Sequence, residues 1–274
     1  MEPEVGVGRR CLVTGSTRGV GLGIVDHLLS AGWEVAVNGR TSARVLEVVA
    51  NRDGAVAAEG DVSDPSAACG VVEAASQALG GLDLVVCNVG GGSSVAPGSE
   101  TPEEWQRGFA LNLWSATNVV EASRSVLAEG GGSVVCISSI CGSVVVPGAP
   151  VTYSVAKAAL HAYVRGMATP LAGDGVRINA VALGNILHDD SVWATRLDED
   201  PSSVEEELKK ARKAAARAAK DENDGRDTDK FLLEQPAALA ERRRFQRAQC
   251  EREALHPRHR HALAAHRGQR AQRR

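Results

Sequence analysis

Tyr153 and Lys157 stand four residues apart in Tyr153-Ser154-Val155-Ala156-Lys157, and Lys157 is the only lysine among the first 204 residues. The same span holds just two tyrosines, Tyr153 and Tyr163. Residues four apart on a helix share a face, so this spacing sets an ammonium beside a phenol. A neighbouring positive charge favours the phenolate and lowers a tyrosine pKa. That makes the phenol usable as an acid or base near neutral pH. Such a pair is common on exposed helices and carries little weight alone. A hydroxyl that could work with it is Ser139, which ends the apolar run Ser133-Val134-Val135-Cys136-Ile137-Ser138-Ser139. At the carboxyl end of a strand a hydroxyl can meet a bound carbonyl, although it can equally close a local turn.

These groups need a frame, and the N-terminal segment supplies one. Cys11-Leu12-Val13-Thr14 reads as a short buried strand, followed by Gly15-Ser16-Thr17-Arg18-Gly19-Val20-Gly21. Leu22, Ile24, Val25, Leu28 and Leu29 then recur at helical spacing until Ala31-Gly32 stops the run. Strand, glycine loop and helix in that order make a dinucleotide site. Glycines let the backbone approach a pyrophosphate, and the helix N-terminus supplies amides and a positive dipole end. The second strand, Glu34-Val35-Ala36-Val37-Asn38, arrives on schedule. Near its end a carboxylate would select NAD, whereas an arginine accommodates the 2′-phosphate of NADP. Asn38-Gly39-Arg40 has no carboxylate, and Arg18 adds a second cation. A guanidinium matches phosphate oxygens in a bidentate way, so the cofactor is read as NADP(H) in preference to NAD(H). The plainer reading, two solvated surface arginines, stays open.

Several motifs follow one another in a fixed order: Thr14 to Gly21 as Thr-Gly-x-x-x-Gly-x-Gly, Asp61-Val62, Asn88-Val89-Gly90, Asn112, Ser139, Tyr153 with Lys157, and Arg177-Ile178-Asn179-Ala180-Val181. In this the chain resembles the short-chain dehydrogenase/reductase family, in its compact, 3-oxoacyl-carrier-protein reductase-like branch, from about residue 9 to about residue 205. The resemblance implies an α/β fold with a Rossmann-type doubly wound parallel sheet. It implies an NADP(H)-dependent oxidoreductase that reduces a carbonyl, or oxidises an alcohol, by hydride transfer. Ser139 rather than Ser138 is the implied catalytic serine, because Gly142 follows it three residues on. Tyr153 is the implied proton donor, and Lys157 the group that lowers its pKa and binds the nicotinamide ribose. Asn112 matches the family's fourth member, which anchors a relay water; within Phe109-Ala110-Leu111-Asn112-Leu113-Trp114 it reads equally well as a core hydrogen-bond partner. Cofactor contacts are implied at Gly15, Thr17, Arg18, Gly19, Val20, Gly21 and Arg40. Asp61 and Val62 are expected near the adenine, and Asn88 and Gly90 on the ribose side. Leu187, Val192 and Trp193 fall in the usual substrate lid. Gly184-Asn185-Ile186-Leu187 and Asn88-Val89-Gly90-Gly91 resemble a sub-branch tied to bacterial sugar and surface-glycan synthesis. A 3-oxoacyl group, a simple ketone or an alcohol fits as well.

The C-terminal part does not match. Residues 1–204 hold 33 valines and residues 205–274 none. The first span carries 12 basic and 22 acidic residues, the second 19 and 12. So sharp a shift marks a boundary, dividing a dinucleotide-binding catalytic domain, 1–204, from a charged tail, 205–274. Residues 203 to 220 read as a helix, with Ser203 as cap and Glu205, Glu206 and Glu207 in its first turn. The rest, rich in Ala, Arg, Gln and His, fits a helical or a disordered segment. The family's last helix and strand are unrecognisable, which would leave the strand near 176–181 with an open, aggregation-prone edge. A shifted reading frame, a lineage-specific extension and an anion-binding arm each account for this tail. Nucleic-acid binding is disfavoured, because Phe231 and Phe245 are its only aromatics. His256, His259, His261 and His266 lack spaced cysteine or carboxylate partners, so no metal site is read there.

No apolar run reaches transmembrane length, no N-terminal signal is seen, and Cys11, Cys69, Cys87, Cys136, Cys141 and Cys250 show no metal or redox spacing. A reducing, cytoplasmic setting and a small-molecule carbonyl or alcohol partner follow. The family's homo-oligomers are built partly through the region unrecognisable here, so assembly is left open. The rival class is a non-catalytic or inactive NADP-binding protein with an altered C-terminus. Such a protein would be expected to lose the tyrosine or the lysine, and both are present.

Overall fold

The computed structural model describes residues 9–146 and 148–184, with isolated positions 186, 200 and 202. The expected lid residues Leu187, Val192 and Trp193, the helix read over 203–220 and the rest of the tail lie outside the described residues.

Among the described residues, short apolar runs make six strands: β1 (Arg10–Val13), β2 (Glu34–Gly39), β3 (Ala55–Glu59), β4 (Leu84–Cys87), β5 (Ser133–Ser139) and β6 (Arg177–Leu183). All pair in parallel, in the order β3-β2-β1-β4-β5-β6. Reversal of the order on either side of β1 places a crevice between the carboxyl ends of β1 and β4, where open α/β sheets take their ligands. Among the described residues β6 is an edge, and Val181 on it is 44% exposed.

Six helices cross between strands: α1 (Gly19–Ser30), α2 (Ser42–Ala50), α3 (Pro65–Leu79), α4 (Pro102–Phe109), α5 (Ser115–Ala128) and α6 (Val151–Gly173). Their starts follow local chemistry. Asp64 caps α3 by accepting from the Ala67 amide, and Thr101 caps α4 from the Glu104 amide, each followed by proline at the first helical position. Gly80 ends α3 in the left-handed region.

Strand alternation sorts the core into two layers. Leu12, Ala36, Val85, Cys87, Val134 and Cys136 pack with α3, α5 and α6. Cys11, Val13, Val35, Val37 and Val86 pack with α1 and α2. Each fully buried valine or leucine contributes roughly 1.5–3 kcal/mol of apolar transfer. The α1 side covers the sheet only in part. Val20, Ile24 and Leu28 of α1, with Leu84, Val86, Val135 and Ile137, line an open apolar hollow of about 370 Å³.

Candidate active site

The loop after β1 is shaped by its neighbours. Gly15 and Gly19 have φ of 59° and 57°, which glycine adopts without strain. A Cβ on Gly21 would stand 2.5 Å from both the Asn88 Nδ2 and the Gly15 carbonyl, so the helix can start this close to the loop only as glycine. No side chain caps α1 and no acidic residue lies in its first turn. That leaves a helix N-terminus suited to an anion. Arg18 is its N-cap residue and is exposed, while Thr17 is half-buried. Val20 turns towards the apolar hollow.

Asn88 was expected on the ribose side. Its side-chain N–H groups go to the carbonyls of Thr14 and Gly15, both at 3.0 Å, and its backbone amide donates to Thr14 Oγ1. The residue thus acts on the loop's shape. Thr14, which sequence reasoning used only as a motif letter, also donates to the Val86 carbonyl and so ties β1 to β4. Val62, expected by the adenine, is 1% exposed and part of the α3-side core. Asp61 Oδ1 accepts from the amide and hydroxyl of Ser63 at 3.0 and 2.7 Å. Burial pushes its carboxyl up, but the two Ser63 bonds and Arg40 outweigh that and hold it below its ordinary value. The Arg40 guanidinium is 76% exposed and 3.8 Å from Asp61. A loose exposed pair contributes 0–1 kcal/mol or so, so little holds the arginine away from another anion.

At the other side of the crevice, Ser139, Tyr153 and Lys157 come together. Ser139 ends β5, and its Oγ accepts from the Cys141 amide at 3.2 Å. The short 3₁₀ turn Ile140–Gly142 then lies against α6. A Cβ on Gly142 would be 2.7 Å from the Lys157 carbonyl carbon, so glycine lets the turn seat there. That seating sets the Ser139 hydroxyl close to the Tyr153 phenol, near enough to lower its pKa. Lys157 is 3% exposed and donates from Nζ to the Ile137 carbonyl at 2.9 Å. Gly90 leaves room for it: a Cβ there would stand 3.0 Å from Lys157 Nζ and from Asn112 Oδ1.

The electrostatics differ from the simplest expectation. Burial raises the Tyr153 phenol, the Ser139 hydroxyl lowers it in part, and nearby Cys141 raises it. Lys157 Nζ lies over the ring face, 5.9 Å from its centroid, and bonds to the backbone. Burial brings Lys157 itself down to about 8, against a smaller upward pull from Cys136 and Cys87.

Asn112 sits in a π-helical turn, Ala110–Trp114, spliced between α4 and α5. Its side chain donates to the carbonyls of Gly108 and Gly91 and accepts from the Gly91 amide at 2.9 Å. Of the two readings left open for it, these bonds match the core hydrogen-bond partner; the π turn itself had no sequence signal beyond a polar residue in an apolar run. Among the described residues no group of three or more His, Cys, Asp or Glu is placed to hold a metal ion, and no helix is long and apolar enough to cross a membrane.

A parallel sheet with a glycine loop at its switch point defines a nucleotide-binding α/β protein, and known proteins narrow the class. The short chain dehydrogenase family model matches residues 9–221. An uncharacterized oxidoreductase of Methylorubrum extorquens is 35% identical over 185 residues, 66% of this chain and 74% of the relative. The L-rhamnose 1-dehydrogenase (NAD(P)(+)) of a Sphingomonas species is 34% identical over 188 residues, 66% and 73%. The crystal structure of L-sorbose reductase from Gluconobacter frateurii, in complex with NADPH and L-sorbose, superposes with a TM-score of 0.65 at 28% identity, over 72% of this chain and 77% of that one. The chain belongs to the short-chain dehydrogenase/reductase family and is an oxidoreductase with that family's Rossmann-type fold.

Proposed function

We propose that this protein reduces a small carbonyl substrate with NADPH, and that Tyr153, Lys157, Ser139 and Asn112 form its catalytic site. The observation that carries the reading is the meeting of the Ser139 hydroxyl, the Tyr153 phenol and the Lys157 ammonium at the carboxyl end of β5. All of these residues lie within 1–204, the span we take as the catalytic domain.

The chain has room and donors for the cofactor. The uncapped α1 N-terminus and the crowded Gly21 fit a pyrophosphate. A Cβ on Gly39 would be 2.7 Å from Thr17 Cγ2, so a carboxylate at that position would require Thr17 to move. Arg40 follows, exposed and loosely paired, and Arg18 stands at the helix start. These features favour a 2′-phosphate and thus NADP(H) over NAD(H).

When bound, the nicotinamide supplies a hydride to the substrate carbonyl carbon. Tyr153 holds the proton that the carbonyl oxygen receives; burial raises its pKa, so the phenol is protonated at neutral pH as a donor must be. Ser139 offers a second hydrogen bond to that oxygen as charge develops. Lys157, anchored on Ile137, keeps a positive charge beneath the phenol while it remains protonated, which its pKa of about 8 permits at pH 7. Asn112 fixes the Gly91 backbone and, with Gly90, leaves the lysine its passage.

The similarity to proteins named for L-rhamnose and L-sorbose makes sugars and polyols the first substrates to try. Purified protein should consume NADPH with at least one member of a panel of ketoses, 3-oxoacyl thioesters and simple ketones, and consume NADH more slowly. NADPH binding without turnover of any of them would favour the non-catalytic alternative.

A further inference from the structure

We infer that Asn38 is a positioning residue for the cofactor: its buried carboxamide sets the separation between the glycine loop after β1 and the turn after β3, and so the width of the slot that takes the nucleotide. The inference deepens the NADP(H) reading and rests on it.

Asn38 lies at the end of β2 and is 1% exposed. Its Oδ1 accepts from the Gly15 amide at 3.1 Å. Its Nδ2 donates to the Ala58 carbonyl at 2.8 Å and to the Gly60 carbonyl at 3.1 Å. Its backbone N–H donates to Ser16 Oγ at 3.0 Å, and its carbonyl accepts from the Ser16 amide at 2.8 Å. Ser16 Oγ in turn donates to the Val13 carbonyl at 2.7 Å. One side chain therefore joins two segments. One segment is Gly15-Ser16, which precedes the α1 N-terminus. The other is Ala58 to Gly60, which leads directly into Asp61.

The partners fix the amide's orientation. Two carbonyls can be met only by an NH₂ group, and the Gly15 N–H only by an oxygen. Aspartate has the same shape but no such donor, so it would face two buried carbonyls without a hydrogen to offer. A buried polar group left in that state is costly. Only main-chain bonds to β2, such as Ser16 N–H to the Asn38 carbonyl and Gly60 N–H to the Gly39 carbonyl, would then hold the two segments, and the width of the slot between them would be less closely set. The reacting groups Ser139, Tyr153 and Lys157 lie on β5 and α6, beyond the reach of these bonds, so the loss should fall on nucleotide binding and spare the chemical step.

The test compares Asn38→Asp and the milder Asn38→Ser with Val45→Ala. Val45 of α2 is fully buried against β2, and its truncation loosens the same region without touching the amide's bonds. NADPH dissociation constants are measured by fluorescence well below each variant's Tm, along with KM for NADPH, KM for the carbonyl substrate and kcat. Asn38→Asp is expected to raise Kd and KM for NADPH at least thirtyfold, with kcat at saturating NADPH within threefold of the parent. Asn38→Ser should show the same split at a smaller size and stands alone if the aspartate variant is insoluble. Val45→Ala should lower Tm yet leave the NADPH Kd within twofold. A lowered Tm in the Asn38 variants with NADPH Kd unchanged would mean a merely structural residue and would overturn the inference. A parent that binds neither NADPH nor NADH would overturn the cofactor reading itself, and this inference with it.

Discussion

At the ends of β1, β2 and β4 the polar side chains are spent on the backbone, whereas along β5 and α6 they remain chemically loaded. Thr14, Ser16, Asn38 and Asn88 donate to or accept from main-chain groups of neighbouring segments. None of them titrates near neutral pH. Across the crevice, Tyr153 is pushed up and Lys157 pulled down to about 8, each chiefly by burial. The first region gives shape and the second gives reactivity. Damage to one should therefore appear in binding, and damage to the other in turnover.

The largest effect is expected from Tyr153→Phe. It should lower kcat by about 10³-fold or more through loss of the proton donor, while NADPH Kd stays within threefold. Lys157→Met should cost about 10²-fold in kcat/KM; the methyl thioether fills the buried channel beside Gly90 without offering charge. The same variant gives a stability test. Lys157 has a folded pKa of about 8 against an ordinary 10.5. Between those values the unfolded chain binds more protons, so this group's contribution to stability rises with pH from about 8 to 10.5 and is flat below 8. The slope is at most about 1.4 kcal/mol per pH unit. Chemical denaturation of parent and Lys157→Met at pH 7 and pH 9.5 should show the parent gaining relative to the variant. For catalysis the sign reverses: kcat/KM for carbonyl reduction should fall as pH passes about 8 and the ammonium is lost.

On the reacting side, Ser139→Ala should lower kcat about 10²-fold for the loss of one oxyanion donor, with NADPH Kd unmoved. On the binding side, Arg40→Gln should raise NADPH Kd about tenfold and leave NADH unchanged, the size expected for one charge-assisted phosphate contact. No change for either nucleotide would instead make Arg40 a solvated surface group.

The elements themselves were legible. The runs 11–14, 34–38 and 133–139 appear as strands within one residue of their ends, because short apolar segments next to glycine-rich turns have few alternatives. The meeting of Ser139 with Tyr153 was legible only through motif order. Periodicity cannot say which loop will fold back upon which helix; the close approach of Gly142 to Lys157 decides that. Two features were misjudged or missed for one reason. The Tyr153 pKa depends on depth of burial, which spacing does not encode, and the Asn88 and Asn38 amides depend on which carbonyls the fold brings near. Asn38 did leave a trace: an amide closing the apolar strand Val35-Ala36-Val37 invites the question of where its hydrogen bonds go.

The most direct test of the division between a binding half and a reacting half is a paired experiment on the parent and Tyr153→Phe: NADPH titration by fluorescence, then a single turnover with the best carbonyl substrate of the panel. The account predicts closely matched dissociation constants and a hydride-transfer rate that falls about 10³-fold in the variant. Matched turnover in both proteins, or loss of NADPH binding in Tyr153→Phe, would contradict it.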